Sequence, residues 1–305
     1  IYKELVEINT TDSSGDTLIA AKAMGQRFLD AGFPAADVQV LSSGPRKGNL
    51  VARLRGTGAK KPMLLMAHMD VVEARREDWA FDPFTLQETD GFFRARGAID
   101  DKAMAAIFVA TLIRLRMEGA APERDIILAL TTDEELADSP HDGARWLLEN
   151  HRALIDAEFA LNEGGGGTMR GGKPVSSNIQ LAEKVYRSFQ LVVKDPGGHS
   201  AQPRRDNAIT KLAEGLVRLA DFEFPARLNA VTAAWLNIVT RLEAPEIKAA
   251  YAALAAGDNR PEVIAPLSKR ANYNAQIRTT CVATMLEAGH AENALAQSAR
   301  ATINC

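Results

Sequence analysis

An α/β fold, with a mostly parallel sheet carrying helices on both faces and an inserted α+β domain, is predicted by three observations. Short apolar strands alternate with helix-length segments up to Glu163. Several of those strands are continuously apolar rather than alternating, as strands covered on both faces are. After Glu163 the texture changes to glycine-rich turns, one alternating strand and alanine-rich helix.

In chain order, Asp16 to Ala31 reads as an amphipathic helix, with Gly32 suited to the left-handed position just past its end. Strands are expected at Asp37–Leu41, Asn49–Leu54 and Pro62–Met69, and a mostly buried helix at Met104–Met117. Asp125–Thr132 is a buried strand. A helix should then start near Ser139-Pro140, where a serine cap, a proline at the first position and Asp142 in the first turn are favourable start chemistry. Glu158–Asn162 is the next short strand. Gly164–Gly167 and Gly171–Pro174 read as loop and turn, and Lys184–Lys194 as a half-buried strand. The loop Pro196–Arg205 leads to a helix over Asn207–Ala220. Helix continues to about residue 290, and Ala299–Cys305 is a final strand. The expected division is 1–182 and 183–305.

Composition excludes several classes. The 305 residues are 46% hydrophobic and 25% charged with a net charge of −3, an ordinary globular balance with no basic block for nucleic acid. No run reaches the ~18 apolar residues of a membrane helix. Cys281 and Cys305 give neither a disulfide framework nor a CxxC metal pair. Residue 1 is Ile rather than Met, so the compartment stays open between cytoplasm and, after removal of a signal peptide, periplasm or secretion. No GxGxxG or GxxxxGK[ST] follows a strand, which argues against a nucleotide-dependent enzyme.

Three strands end in one kind of chemistry: His68-Met69-Asp70, Asp133-Glu134-Glu135 and Asn162-Glu163. A glycine turn, Gly97-Ala98-Ile99-Asp100-Asp101, adds carboxylates at a helix start. Ligands of open parallel sheets bind at the carboxyl ends of the strands. Carboxylates gathered there repel one another unless a cation neutralises them. Histidine, aspartate and glutamate without thiolate suit zinc, cobalt or manganese. Two ions ~3.5–4 Å apart could activate a water, and one member of the Glu134-Glu135 pair could serve as proton acceptor. Taken singly each feature is bland: a His-x-Asp pair, a solvated Glu-Glu, acids favoured by a helix dipole. Their coincidence at one sheet edge is what carries the reading.

With those residues in place the chain resembles the co-catalytic di-zinc metallopeptidases, the family of bacterial glutamate carboxypeptidase, yeast carboxypeptidase S, aminoacylase, succinyl-diaminopimelate desuccinylase and carnosine dipeptidase. The matching segments are MAHMDVV (66–72), RGAIDDK (96–102), TTDEE (131–135), NEGG (162–165) and GGHSAQP (197–203). The resemblance implies two Zn2+, with Co2+ or Mn2+ as alternatives. His68 and Glu163 would hold one ion, Glu135 the other, and Asp100 both. It implies that Asp70 accepts a hydrogen bond from His68 and that Glu134 is the general base. In a lid domain, His199 would stabilise the oxyanion and Asn293 grip a substrate carboxylate; Ala296 stands where the family has proline.

The implied activity is hydrolysis of a peptide or N-acyl amino-acid amide bond beside a free carboxylate. A homodimer is expected through an edge strand at Lys184–Lys194 or Ala299–Cys305. The resemblance also implies a fifth ligand, a histidine that none of His141, His151, His199 or His290 matches. It implies a carboxylate-binding arginine and the second half of the catalytic domain beyond Cys305, so the C-terminal part is expected to be absent from these residues. The alternative reading is a degenerate or truncated member that binds metal or ligand, or dimerises, without turnover; retention of Glu134 argues against it.

Overall fold

The computed structural model describes residues 1–305 except 137, 181 and 182. They form two units, Ile1–Ile179 and Gln180–Cys305. The expected boundary, 182/183, adjoins residues 181 and 182, which lie outside those described.

In the first unit, helix α1 (Tyr2–Glu7) precedes α2 (Thr17–Asp30). The α2 helix begins where the Asp16 carboxylate accepts from the Leu18 and Ile19 amides, and its end passes to Gly32 at φ +81°. Thr17, Ala20, Ala21, Met24 and Phe28 are its buried stripe. Strands β1 (Val38–Gly44) and β2 (Lys47–Leu54) form an antiparallel hairpin, followed by β3 (Met63–His68). A small hairpin, β4 (Gln87–Thr89) and β5 (Phe92–Arg94), turns at Asp90-Gly91 with both φ positive, the geometry a two-residue hairpin favours. Helix α3 (Lys102–Met117) leads to β6 (Ile126–Thr131); α4 (Gly143–Asn150), α5 (Arg152–Ile155) and β7 (Phe159–Leu161) follow.

The sheet order is β1-β2-β6-β3-β7. Strands β6 and β7 lie parallel to β3 on either side of it, and the β1–β2 hairpin extends the β6 edge antiparallel. Along β6 the side chains alternate. Leu128 and Leu130 join the core beneath α1, α2 and α3, with Leu5, Met24, Phe28, Val109 and Leu112; Ile127 and Ala129 join a second core with Leu147 of α4 and Ile155 of α5. Helices therefore cover both faces, as the continuous apolar strands predict.

Two expectations for this unit change. Helix α4 starts at Gly143, where the Asp142 carboxylate accepts the Arg145 amide at 2.9 Å and caps it; the Ser139 hydroxyl accepts the His141 amide at 3.1 Å in the turn before the helix and donates to Asp133 at 2.6 Å. The glycine stretches expected as loop and turn are partly strand: Gly164 and Gly165 precede the hairpin and Gly171 and Gly172 are its turn, but Gly166 and Gly167 begin β8 (Gly166–Arg170) and Lys173 and Pro174 begin β9 (Lys173–Asn178). Its turn residues Gly171 and Gly172 sit at φ +55° and +74°, a pair of left-handed positions that glycine adopts without a Cβ penalty.

Asp125, just before β6, ties the far end of the sheet together: it accepts from the Gly56 amide at 2.8 Å and from Arg53 Nη1 at 3.0 Å. Burial pushes its carboxyl up, but the Gly56 amide and the Arg53 and Arg55 guanidiniums outweigh it and hold the pKa below its ordinary 3.8. A group depressed in the folded state stabilises above its unfolded pKa, so this contribution is present above pH 3.8 and is lost as acid takes the pH through the lower folded value. Asp125→Asn should cost about 1–3 kcal/mol at neutral pH. Urea unfolding at pH 7 and near pH 3 checks this: the gap between variant and wild type should shrink at the lower pH.

In the second unit, β10 (Ser188–Lys194) and the short β11 (Gly198–His199) precede α6 (Ala208–Asp221), which is capped by the Asn207 side chain. Helices α7 (Ala230–Val239), α8 (Pro245–Ala255), α9 (Pro261–Ser268) and α10 (Ala271–Ile277) enclose their own core of Leu236, Ile247, Leu254, Ile264, Leu267 and Ile277. Helix does not continue to 290: β12 (Val282–Ala288) intervenes, followed by β13 (Ala294–Leu295) and β14 (Ser298–Asn304).

The three-stranded sheet runs β10-β14-β12, all antiparallel, with Ala299, Ala301 and Ile303 packed on Ala208 and Leu212 of α6. The segment Ala299–Cys305 is thus central, not an edge; β10 and β12 are the edges, and β10 is largely exposed rather than half-buried. Cys281 and Cys305 lie just beyond the Val282–Asn304 pair and are joined by a disulfide, where the sequence was expected to supply no such framework. Among the described residues, no helix is long and apolar enough to cross a membrane.

Candidate metal centre

The parallel register places three strand ends on one edge. His68, the last residue of β3, pairs with Thr131 at the end of β6, and Leu65 pairs with Leu161 at the end of β7. The chain leaves β6 into Glu134-Glu135 and β7 into Asn162-Glu163. Asp100 arrives from the turn that starts α3. There Gly97 takes φ +77°, and a Cβ would meet Val71 Cγ1 at 2.8 Å, so only glycine fits this close approach.

His68 is buried, 3% exposed, at the centre. Its Nε2 lies 2.9 Å from Asp100 Oδ1, 3.7 Å from Glu163 Oε1 and 3.9 Å from Glu134 Oε2. Its Nδ1 lies 3.0 Å from the Asp70 backbone carbonyl and 3.6 Å from the Asp70 carboxylate. The Asp70 carboxylate instead accepts the Glu134 amide at 3.2 Å and the Glu135 amide at 3.0 Å, so it holds the loop as well as facing the imidazole.

Potential ligand atoms gather in two sets, each within 4.8 Å: His68, Asp100 and Glu135; and His68, Asp101 and Glu163. In the sequence Asp101 reads only as a helix-start acid. It is 3% exposed, and its carboxylate accepts the His68 amide at 3.3 Å instead of capping α3. The signal that could have singled it out was the doubled Asp100-Asp101.

The electrostatics are those of a cluster short of positive charge. Burial opposes the imidazolium of His68, yet the Asp70, Glu163 and Glu134 carboxylates outweigh it and hold its pKa at about 10. Burial, reinforced by Glu163 and Asp100 and opposed by His68, pushes Asp101 up to about 7. Burial first, then neighbouring carboxylates, also raises Glu134 and Glu135. Burial pushes the Lys102 ammonium down to about 7, with its Nζ donating to the Ile8 carbonyl at 2.8 Å. Left to itself the cluster collects protons. Divalent cations would replace them, and an oxygen-rich donor set with one imidazole fits such ions.

The two further histidines of the first unit have other neighbours. His141 Nδ1 faces the Ser43 carbonyl at 2.6 Å, and the His151 ring lies 4.8 Å from that of Trp146. In the second unit, β11 pairs with β13, His199 opposite Ala294, and the Ser200 amide donates to the Asn293 carbonyl at 2.9 Å. The two substrate-facing residues expected there, His199 and Asn293, are therefore neighbours. The Ala201 amide donates to His199 Nδ1 at 3.1 Å, so neutral His199 carries its proton on Nε2, as a donor. His290 belongs to the turn after β12.

Comparison with known proteins places this arrangement in context. The profile of peptidase family M20/M25/M40 matches residues 64–303. The N-fatty-acyl-amino acid synthase/hydrolase PM20D1 of Mus musculus is 31% identical over 252 residues, 80% of this chain and 49% of that protein. Carboxypeptidase S of Saccharomyces cerevisiae is 27% identical over 257 residues, 80% of this chain and 44% of that protein. The crystal structure of human carnosine dipeptidase 1 shares the fold, with a TM-score of 0.64 at 14% identity over 99% of this chain and 68% of that one. The chain spans about half the length of the curated relatives it matches.

Proposed function

This chain belongs to peptidase family M20/M25/M40, and from that membership we propose that the protein is a metal-dependent hydrolase of a peptide or N-acyl amino-acid amide bond beside a free carboxylate. The observation that carries the reading is the convergence of His68, Asp100, Glu135 and Glu163 at the ends of three parallel strands and one helix start. In this reading His68 and Glu163 would hold one divalent ion and Glu135 the other, with Asp100 serving both; zinc is the proposed metal, with cobalt or manganese able to substitute. The fall of Glu135 and Glu163 into different ligand sets supports placing them on different ions; Asp100 gathers with Glu135, Asp101 with Glu163, and His68 with both.

When bound, the pair of ions supplies Lewis acidity, polarising the scissile carbonyl and lowering the pKa of the attacking water. Glu134 lies beside the site without joining either ligand set, which leaves its carboxylate to take the proton of the water and return it to the leaving amine. Asp70 orients His68 and, through the Glu134 and Glu135 amides, the base loop. The second unit is proposed as a lid and dimerisation domain in which His199 Nε2–H meets the oxyanion and Asn293 the substrate carboxylate. Its β10 edge is the proposed pairing surface of a homodimer.

The test is a panel of dipeptides and N-acyl amino acids offered to the natural full-length protein. Some members should be hydrolysed, activity should vanish on chelation, and zinc, cobalt or manganese should restore it. Metal-loaded protein that cleaves no member of either class would overturn the proposal.

A further inference from the structure

We infer that Asp133, clamped by Lys47 and Ser139, is a positioning residue that sets the direction of Glu134. The inference rests on the reading of Glu134 as general base and adds residues that reading does not use. Consecutive residues of a strand point to opposite faces, so two adjacent glutamates can serve one site only if the chain leaves the strand before them. Strand β6 ends at Thr131, and the chain turns at Asp133, which takes φ +60°, a left-handed conformation that Asp tolerates better than most residues but still at a cost.

Such a conformation persists only when its surroundings over-determine it, and here they do. The Asp133 carboxylate is 1% exposed; its Oδ1 accepts from Lys47 Nζ at 2.8 Å and from Thr132 Oγ1 at 3.0 Å, and its Oδ2 from Ser139 Oγ at 2.6 Å. Lys47 begins β2 and also reaches Asp12 at 2.7 Å. Thr132 is held in turn, its hydroxyl 2.7 Å from that of Thr17 and its amide donating to Asn49 Oδ1 at 3.2 Å. On the other side of the turn, the Glu134 and Glu135 amides close on Asp70. The loop is therefore gripped from both sides, by an ion pair beneath and a carboxylate facing the site. None of the clamp side chains belongs to either ligand set.

Two measurements test the clamp in the full-length protein. In the metal-free state, hydrogen exchange at the Glu134 and Glu135 amides should be faster by about tenfold or more in Lys47→Met and in Asp133→Asn. In the zinc-loaded state, the best substrate of the panel should show kcat lowered about tenfold or more, with KM within about twofold and zinc content unchanged. Lys47→Arg, which keeps the cation, should recover most of both. Lys47→Met placed on Glu134→Gln should cause no further loss of kcat, because the clamp acts through that carboxylate.

Wild-type exchange and wild-type kcat in both clamp variants would overturn the inference, as would a further full loss on top of Glu134→Gln. If Lys47→Met does not accumulate as folded protein, Ser139→Ala removes one bond and no charge. It should give smaller changes in the same direction, and wild-type values there would count equally against the clamp. A Glu134→Gln variant with normal turnover would instead overturn the base assignment, and the amide exchange would still report on the clamp by itself.

Discussion

Glu134→Gln will leave the full-length protein folded and able to take up its metal, and will lower kcat by about 10²–10⁴, the range ascribed to a positioned general base. Glutamine keeps the size and the carbonyl oxygen of glutamate and loses the negative charge, and with it the ability to accept a proton at the working pH. The side chain is 51% exposed, so little packing is disturbed. Burial and the Glu163, Asp70 and Asp100 carboxylates raise its pKa, which moves the group toward the operating pH, where a base is most effective. The neighbouring substitution supplies the contrast: Glu135 belongs to a ligand set and Glu134 does not, so Glu135→Gln should lose metal where Glu134→Gln keeps it. Metal analysis of both variants beside kcat and KM separates the roles. Glu134→Gln turning over within about threefold of wild type would remove the base assignment.

The elements that place this site were legible because their causes are local. Asp16 and Gly32 bracket α2 by capping and by a left-handed turn, and both are visible in the sequence. The continuous apolar runs of β3 and β6 announce strands buried on both faces, and their parallel ends then bring His68 and Glu134-Glu135 together. What escaped depends on distant partners. The segment VATMLEA is composed largely of helix formers, yet it is strand β12 because β14 offers it a ladder, and strand preference follows context more than composition. The disulfide follows from the same pairing, which brings Cys281 opposite Cys305 across 24 positions of sequence. Ser139 reads as a helix cap and does accept an amide, that of His141, but the cap of the helix lies three residues later, where Asp142 accepts the Arg145 amide. The Asp70 carboxylate reaches two amides more than sixty residues away, which no local pattern reports.

Asp100→Asn is expected to weaken binding of divalent metal by at least about 100-fold, the upper end of what loss of an outer-shell partner costs at a metal site, and to reduce hydrolysis to background. The argument starts from the proton. His68 Nε2 sits 2.9 Å from Asp100 Oδ1, and with its pKa held at about 10 the imidazole is protonated at neutral pH, so the carboxylate neutralises an imidazolium. Metal has to displace that proton, because only neutral imidazole ligates, so affinity should rise with pH below about 10 and uptake should release protons. Asparagine keeps one oxygen for the histidine but removes the charge that would balance an ion after the proton has gone. The Asp100 side chain is 61% exposed, so the metal-free protein should unfold near the wild-type temperature, and the loss belongs to the site rather than the fold. Titration calorimetry with zinc in two buffers of different ionisation enthalpy measures affinity and released protons together. A variant that binds zinc as tightly as wild type with the same proton release would show that Asp100 is not a ligand, and the assignment of Glu135 and Glu163 to two ions sharing it would fall with it.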